Sequence, residues 1–590
     1  MRRSTLAALF ALALTTRGIH LQAMYGRPFL EGYRTFVASD MYIFDEWARN
    51  IAAGDVWSAK LYHPLASWQL QAAPRETWDH WYGESPVFYK APFYAYLVAG
   101  LYRLFDDVTM PLAVLQVVVS SATVCLLATF AARSFGAAAG TAAGILWALY
   151  APAIHFDLLM LRGPWIVLAG LLVTGALQRL RATPTMGVAA ALGAAVGAGL
   201  LVNEGFLILP PLLLPLLPFG VGWRRLLALG GALAGGAALV LAPLVVRNVH
   251  VGAPPTSIAV TGATVYAVYS SATSDPTFFD TSPSIYTPIL EQTDGALGAT
   301  VIACLRSFAG PGAVVRFYVT KAVGLVVPFE NPDNANFYYA ALKSPLLRVL
   351  PGYGVLLPLA LAGIFLARRQ WREALPWAPV ALALVVAMMM ALPLSRYRVP
   401  LATMLAPFAG VTCAAIASAA AARRWRAAAA PLASAAAIWG AAALLERQVT
   451  FAAVDRAEIE YRATEFFLAG ITYGERGDSP RAAEEMVQLA RLNPDKKTKV
   501  RALLFLADVA NRSGRDRALA AQGLAGASKF AAGNPEDLLA VGDAYVAMLG
   551  DRAAALAHYR SAMAADRDGR LARDLAWRVE TLRAVEGPRP

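Results

Sequence analysis

Charge is what this chain has least of. Asp, Glu, Lys and Arg make up only 16% of its 590 residues, where a soluble globular protein carries about 25%. Cysteine is almost missing too. Cys125, Cys304 and Cys413 are the only three, and two of them lie in apolar segments, which excludes a disulfide framework and zinc-ligand spacing. No phosphate-cradling P-loop, HExxH helix, nucleophilic serine elbow or dinucleotide fingerprint occurs. The chemistry therefore has no soluble nucleotide-binding or zinc-hydrolase module to sit in.

Long apolar runs are abundant. The chain is 57% hydrophobic with a mean hydropathy of +0.48, and apolar runs recur from residue 4 to 445. That pattern predicts an all-α polytopic membrane protein followed by a soluble helical tail. Candidate spans are 4–23, 111–132, 137–155, 157–178, 186–202, 205–220, 226–246, 349–367, 375–393, 399–421 and 427–445, about eleven crossings. The opening Arg2-Arg3 and apolar run are read as a first membrane anchor, because further spans follow and no clean cleavage site stands out.

Two segments need a physical decision. As a helix, 91–105 reaches only about 22 Å, short of a hydrocarbon core of about 30 Å. Segment 311–328 carries Arg316 and Lys321 in its apolar pattern, and a central charge costs about 2.5–3.5 kcal/mol. Leaving both out puts the arginine clusters at 2–3, 133, 179–181, 224–225, 368–372 and 423–426 on one face, as the positive-inside rule requires. The net charge of +12 then reads as cytoplasmic loops rather than a nucleic-acid surface. The expectation is a plasma-membrane protein with a cytoplasmic N-terminus. Outer loops 24–110 and 247–348 would face the other side, with the rims around His155 and Asp157, Asn203 and Glu204, and 395–398.

The ionisable groups gather on that outer face, which is the main functional signal. The pattern from Asp40 through Tyr42, Asp45, Glu46 and Ala48 to Gly54-Asp55 predicts a short surface helix, with Ile43, Trp47, Ala48 and Ile51 on its apolar side. Asp40 at its start reads either as a functional carboxylate or as an N-cap. Lys90, ahead of Ala91-Pro92, reads as a phosphate ligand or a snorkelling anchor. Arg162 beside Pro164 and Glu204 between two spans are intramembrane charges, and so candidates by default. Arg247, Arg396 and Arg398 run against the usual charge bias of outer loops, and a phosphate is their natural partner, with lipid headgroups the plainer one. Lys321 and Glu330, with PFENPDNANFYYAALKSPLLRVLP, complete the outer cluster.

The tail from 446 to 590 is repetitive. LAGITYGERGDSPRAAEEMVQLARLNP resembles AVGDAYVAMLGDRAAALAHYRSAMAAD, and a weaker copy runs from 505 to 535 at a spacing of about 36 residues. This is a tetratricopeptide-like pattern. It predicts a stacked concave face for a protein partner, or a helical cap.

Residues 1–420 resemble the GT-C integral-membrane glycosyltransferases, the group containing dolichyl-phosphate-mannose protein mannosyltransferases and the lipid A aminoarabinose transferase. Within that group the chain looks more like bacterial members with C-terminal tetratricopeptide repeats. The matching pieces are the Asp40 loop, Phe88-Tyr89-Lys90-Ala91-Pro92, APLVVRNVHVG at 242–252, Glu330-x-Pro332-x-Asn334, and Ser395-Arg396-Tyr397-Arg398-x-Pro400. Lys90 is followed by Ala-Pro rather than two prolines, Asp45-Glu46 offers a competing acidic pair, and TGATVYAVYSSATSDP departs from the usual Gly- and Asn-rich segment. The resemblance implies inverting transfer of a sugar from a polyprenyl-phosphate donor to an extracytoplasmic acceptor. Asp40 would be the base or acceptor-positioning carboxylate, with Asp45 and Glu46 as competitors. Lys90, Arg247, Arg396, Arg398 and Arg162 would hold the donor phosphate, and Tyr42, His155, Asp157, Glu204, Lys321 and Glu330 would line the substrate site. No cofactor is expected; a divalent metal is compatible with the acidic groups, but no spacing demands one. The rival readings are a pyrophosphate-linked oligosaccharide transferase, a non-enzymatic scaffold and a lipid-linked sugar transporter.

Overall fold

The computed structural model describes residues 1–31, 34, 39–65, 67–216, 222–277, 283–449, 465–491, 496–512, 517–567, 569 and 571–584. Among them the protein is all-helical, a polytopic membrane protein. It divides into two compact units, 1–25 with 37–455, and 26–36 with 456–590.

In the first unit the helices that matter here are α1 (Arg3–Met24), α2 (Asp40–Ala52), α3 (Phe93–Tyr102), α4 (Thr109–Phe135), α5 (Ala137–Ala148), α6 (Gly163–Ala182), α7 (Met186–Val202) and α8 (Trp223–His250). They continue as α9 (Leu297–Arg306), α10 (Pro311–Val323), α11 (Tyr353–Leu366), α12 (Ala378–Met390), α13 (Ser395–Ala421) and α14 (Trp425–Val449). Among the described residues seven stretches are long and apolar enough to cross a bilayer, or eight if the bent pair α9 and α10 is one span. One of these, Pro345–Met390, is not a single rod. It contains α11 and α12, broken at 367–377 where Arg368, Arg369 and Arg372 stand. The expected spans at 137–155, 186–202 and 205–220 are shorter apolar helices, and the end of the last lies outside the described residues. Segment 137–155 breaks after Ala148, and Ala151–Phe156 forms a separate short helix with Pro152 in its first turn, where a proline needs no helical N–H partner.

Both doubtful segments are short. Helix α3 has 10 residues, so it reaches about 15 Å. Helix α10 is bent by 108° from α9, the shape of a broken span or a re-entrant loop.

Small residues set the packing of the bundle. A Cβ on Gly193 would lie 1.8 Å from the Leu233 carbonyl oxygen, and one on Gly363 would lie 1.8 Å from that of Phe408. Helices α7 and α8, and α11 and α13, therefore touch backbone to backbone, as membrane helices do where apolar burial supplies little drive for association.

In the second unit, α15 (Ser479–Arg491), α16 (Lys496–Arg512), α17 (Arg517–Ala531), α18 (Pro535–Ala544), α19 (Arg552–Ala565) and α20 (Ala572–Ala584) each pack on the next. Gly477 and Gly550 both take positive φ, at 76° and 67°. The aspartate after each, Asp478 and Asp551, accepts a backbone N–H from the helix that follows, Arg481 at 3.3 Å and Ala554 at 2.9 Å. The Gly-Asp turn seen twice in the sequence is thus one local device used twice: a left-handed residue ends one helix and a capping carboxylate starts the next. The Asn493-Pro494 end of the first repeat lies outside the described residues.

Candidate active site

The site begins with a capping choice. Ser39, not Asp40, caps α2: its Oγ accepts the Tyr42 N–H at 3.1 Å. Asp40 is therefore the first helical residue, with its carboxylate released from capping. Ile43, Trp47, Ala48 and Ile51 are all buried beneath the helix, so the amphipathic face seats α2 and sets where Asp40 points. Gly54, at φ 124°, takes the chain out of it, a conformation that L side chains rarely adopt.

Asp40 meets two cations. Its Oδ1 lies 2.6 Å from Lys90 Nζ and its Oδ2 lies 2.6 Å from Arg396 Nη1. Lys90 stands two residues before Pro92, the N-cap of α3, and Arg396 is the second residue of α13. Asn334 holds Asp40 at both ends, accepting its backbone N–H at 3.0 Å and donating to Oδ2 at 3.2 Å. Arg396 reaches a second carboxylate, Asp333, through Nε at 2.5 Å. The side chains of Asp40, Lys90 and Arg396 keep 13–16% of their surface, so the cluster is mostly shielded yet open to a ligand. Burial would push the Asp40 carboxyl up. Lys90 and Arg396 outweigh that and hold it well below the usual carboxylate range. Burial wins at Asp333, whose carboxyl is pushed up even though Arg396 pulls it down.

A second ion pair stands beside the first. Arg162, the N-cap of α6, grips Glu204 through two nitrogens at 2.7 and 3.0 Å. Asp40 is within electrostatic range of Arg162, and Lys90 of Glu204.

Other sequence candidates go elsewhere. Asp45 is buried, bonded to Arg49 at 2.9 Å and to the Tyr102 hydroxyl; Glu46 accepts the Tyr62 hydroxyl at 3.1 Å. Neither carboxylate turns to the Asp40 cluster. Among the described residues no group of three or more His, Cys, Asp or Glu is placed to hold a metal ion, so the acidic trio at 40, 45 and 46 does not form a ligand set. Tyr42 follows the cap, half-buried on α2.

The remaining arginines hold loops. Arg247 donates to the carbonyls of Trp57, at 2.8 Å, and Ser58, and lies 3.9 Å over the Phe88 ring. Arg398 is fully buried, pairs with Glu330 at 2.8 Å and donates to the carbonyls of Val327, at 2.8 Å, and Phe329. Glu330 also accepts the Ser395 hydroxyl, and the Ser395 N–H donates to the Asn331 carbonyl at 2.9 Å. These bonds staple 327–331 to the start of α13, which is what delivers Asp333 and Asn334 to Asp40. Lys321 donates to the carbonyls of Tyr269 and Met389, at 2.7 and 3.0 Å, and to Ser270. His155 packs edge-on to His20 with ring centres 6.0 Å apart. Asp157 pairs with Arg17 of α1 at 2.8 Å.

Three contributors were not singled out in the sequence as site or ion-pair residues. Asn334 stood only as a letter in a motif, and Asp333 only within the quoted run. Arg17 had a usable signal, an arginine inside an apolar span.

No protein-family model matches the chain, and no curated protein matches it. Among solved structures, the Archaeoglobus fulgidus oligosaccharyltransferase in its apo form aligns over 74% of this chain and 55% of its own, at 15% identity and a TM-score of 0.38. The same enzyme tethered to an acceptor peptide containing the NVT sequon aligns over 75% and 55%, at 14% identity and a TM-score of 0.38. Archaeal oligosaccharyltransferase AglB from Archaeoglobus fulgidus, in complex with an inhibitory peptide and a dolichol-phosphate, aligns over 74% and 55%, at 13% identity and a TM-score of 0.37. The chain spans about half the length of these enzymes. The functional reading rests on the geometry of the site and on the motifs that build it.

Proposed function

We propose that the chain is a membrane glycosyltransferase that moves a sugar, with inversion, from a polyprenyl-phosphate donor to an extracytoplasmic acceptor. One observation carries this: a carboxylate, Asp40, clasped at 2.6 Å by each of two cations, Lys90 and Arg396, in a shielded site built from helix ends. Transfer from a lipid phosphate needs both kinds of group. The acceptor oxygen attacks the anomeric carbon, the bond from that carbon to the phosphate oxygen breaks, and its electron pair leaves with the phosphate. The acceptor proton passes to Asp40. Lys90 and Arg396 stabilise the charge that grows on the leaving phosphate, and such contacts count most where water is thin.

The resting ion pairs suit an exchange. A donor phosphate replaces Asp40 as the partner of Lys90 and Arg396, which frees the carboxylate to turn to the acceptor and raises its proton affinity. Asp333 keeps Arg396 in place through Nε while its other nitrogens change partner. Arg162 and Glu204 flank the donor, and Arg247 and Arg398 act by holding loops 57–58 and 327–331.

The transporter reading has less support. Transporters tend to show symmetric halves, and the membrane helices of this sequence show no such halves. The pyrophosphate-linked reading would draw metal ligands from Asp40, Asp45 and Glu46, which do not converge. On this reading the enzyme lies in the plasma membrane with its N-terminus in the cytoplasm. The tail is extracytoplasmic and tetratricopeptide-like, and it recruits a protein or glycan acceptor.

The test is transfer of labelled sugar from a panel of polyprenyl-monophosphate sugars by the purified full chain in native lipid. Turnover from one donor, giving the opposite anomer in the product, is expected. Turnover from polyprenyl-pyrophosphate donors alone would overturn the monophosphate assignment.

A further inference from the structure

The first unit has a second charged site, at the other end of the bundle. Helix α6 connects the two. Its N-cap is Arg162, beside the Asp40 cluster, and its last turn carries Arg179 and Arg181. Those 17 residues span about 26 Å at the helical rise. Around Arg179 and Arg181 lies a cavity of about 610 Å³, lined also by Arg133 from the last turn of α4, Arg372, Gln178 and Glu373. A volume of a few hundred cubic ångströms accommodates a small ligand or headgroup.

Orientation in the membrane explains why arginines follow these spans. It does not require four of them, drawn from three chain segments, to line one cavity. Among the described residues none of the four is paired with a carboxylate. Arg133 and Arg372 lie against the rings of Phe130 and Trp371, at 5.2 and 5.5 Å, and Arg181 makes a long 3.4 Å contact to the Leu216 carbonyl. Helix C-termini favour cations, but by only about 0.3–1 kcal/mol each. The wall of the cavity is braced. Gln178 donates to the Phe130 carbonyl at 3.1 Å and to Ser134 at 3.0 Å. Ser134 donates to the Glu373 carbonyl at 2.9 Å and accepts the Trp377 indole N–H at 3.1 Å. That bracing leaves the buried Gln178 Oε1 with no hydrogen bond.

We propose that this cavity binds the phosphate of an anionic headgroup, that of a glycerophospholipid of the arginine-side leaflet. The guanidiniums take the phosphate oxygens, where their fork geometry fits. The site is separate from the Asp40 cluster and does not depend on its function.

The experiment is native mass spectrometry of the detergent-solubilised full chain titrated with phosphatidylglycerol or phosphatidylcholine. The wild type, Arg133→Gln/Arg372→Gln, and a control pair outside the cavity, Arg423→Gln/Arg424→Gln, are compared after each is shown to be folded by thermal unfolding. Phosphatidylglycerol should bind preferentially. The cavity pair should weaken it about twenty-five-fold, from about fivefold for each arginine lost, and the control pair should leave it unchanged. Arg133→Lys/Arg372→Lys should restore part of the binding. Competition by inorganic phosphate or glycerol phosphate at the same arginines would support the site and assign it to a soluble phosphate compound. Equal binding of both lipids, unchanged binding by the cavity pair, or equal loss in the control pair would overturn the proposal.

Discussion

Asp40→Asn removes one charge and almost no volume, so its effects separate chemistry from folding. In the resting site two carboxylates, Asp40 and Asp333, balance two cations, Lys90 and Arg396. The substitution leaves one positive charge in excess. Asparagine still offers an oxygen to Lys90, but its NH₂ then faces the Arg396 donor. Removing one partner of a fully buried pair costs about 3–5 kcal/mol. These side chains keep 13–16% of their surface, and Arg396 retains Asp333, so we expect about 1–3 kcal/mol. The variant should fold with a lowered Tm. Turnover should fall about 10²–10⁴-fold, the range for losing a general base. The excess positive charge should tighten binding of the donor, so KM falls while kcat collapses. The assay is steady-state transfer with a labelled polyprenyl-phosphate sugar alongside thermal unfolding of the same preparation. A folded Asp40→Asn protein with wild-type kcat would refute the role of the carboxylate. Unchanged KM with a lowered Tm alone would make it a structural ion pair.

Asp45→Asn should behave in the opposite way, costing about 1 kcal/mol through its part-buried bonds to Arg49 and Tyr102, with kcat of the folded fraction unchanged when active-site titration normalises the rate. Arg396→Lys keeps the charge but loses the fork that spans Asp40 and Asp333; kcat/KM should drop at least about tenfold, checked with the same donor, and parity with wild type would contradict the bidentate arrangement. The Asp40 carboxyl is held low in the folded state. Its contribution to stability is therefore fully present above its unfolded pKa of about 4 and is lost only as pH falls through the lower folded value. A kcat/KM profile with no acid limb from Asp40 above about pH 5 is expected, and a limb near neutrality that moves in Asp40→Glu would count against it. Gly363→Ala sets a Cβ 1.8 Å from the Phe408 carbonyl oxygen and should cost at least about 1–3 kcal/mol from overpacking, read as a Tm drop with KM for the donor unchanged.

The sequence by itself settled what depends on neighbours along the chain. Apolar runs marked the membrane helices, because a bilayer demands about 20 apolar residues per crossing. The surface helix at Asp40 was legible from its apolar spacing and its closing glycine, both local properties. Asp40, Lys90, Arg396, Arg162 and Glu204 were all legible as charges where charge is expensive. Tertiary structure alone decided which of them act together. Asp40 and Asp45 are five residues apart on one helix, and a rotation of about 100° per residue sends one to Lys90 and Arg396 and the other to Tyr102 and to Arg49 one turn along the same helix. Asn334 lies 294 residues beyond Asp40 and Arg396 farther still, and they reach it because Arg398, Glu330 and Ser395 fasten one loop to the start of α13. No periodicity records that fastening. The four arginines of the second cavity likewise read as orientation signals one by one, and became a site only when three segments closed around the same space.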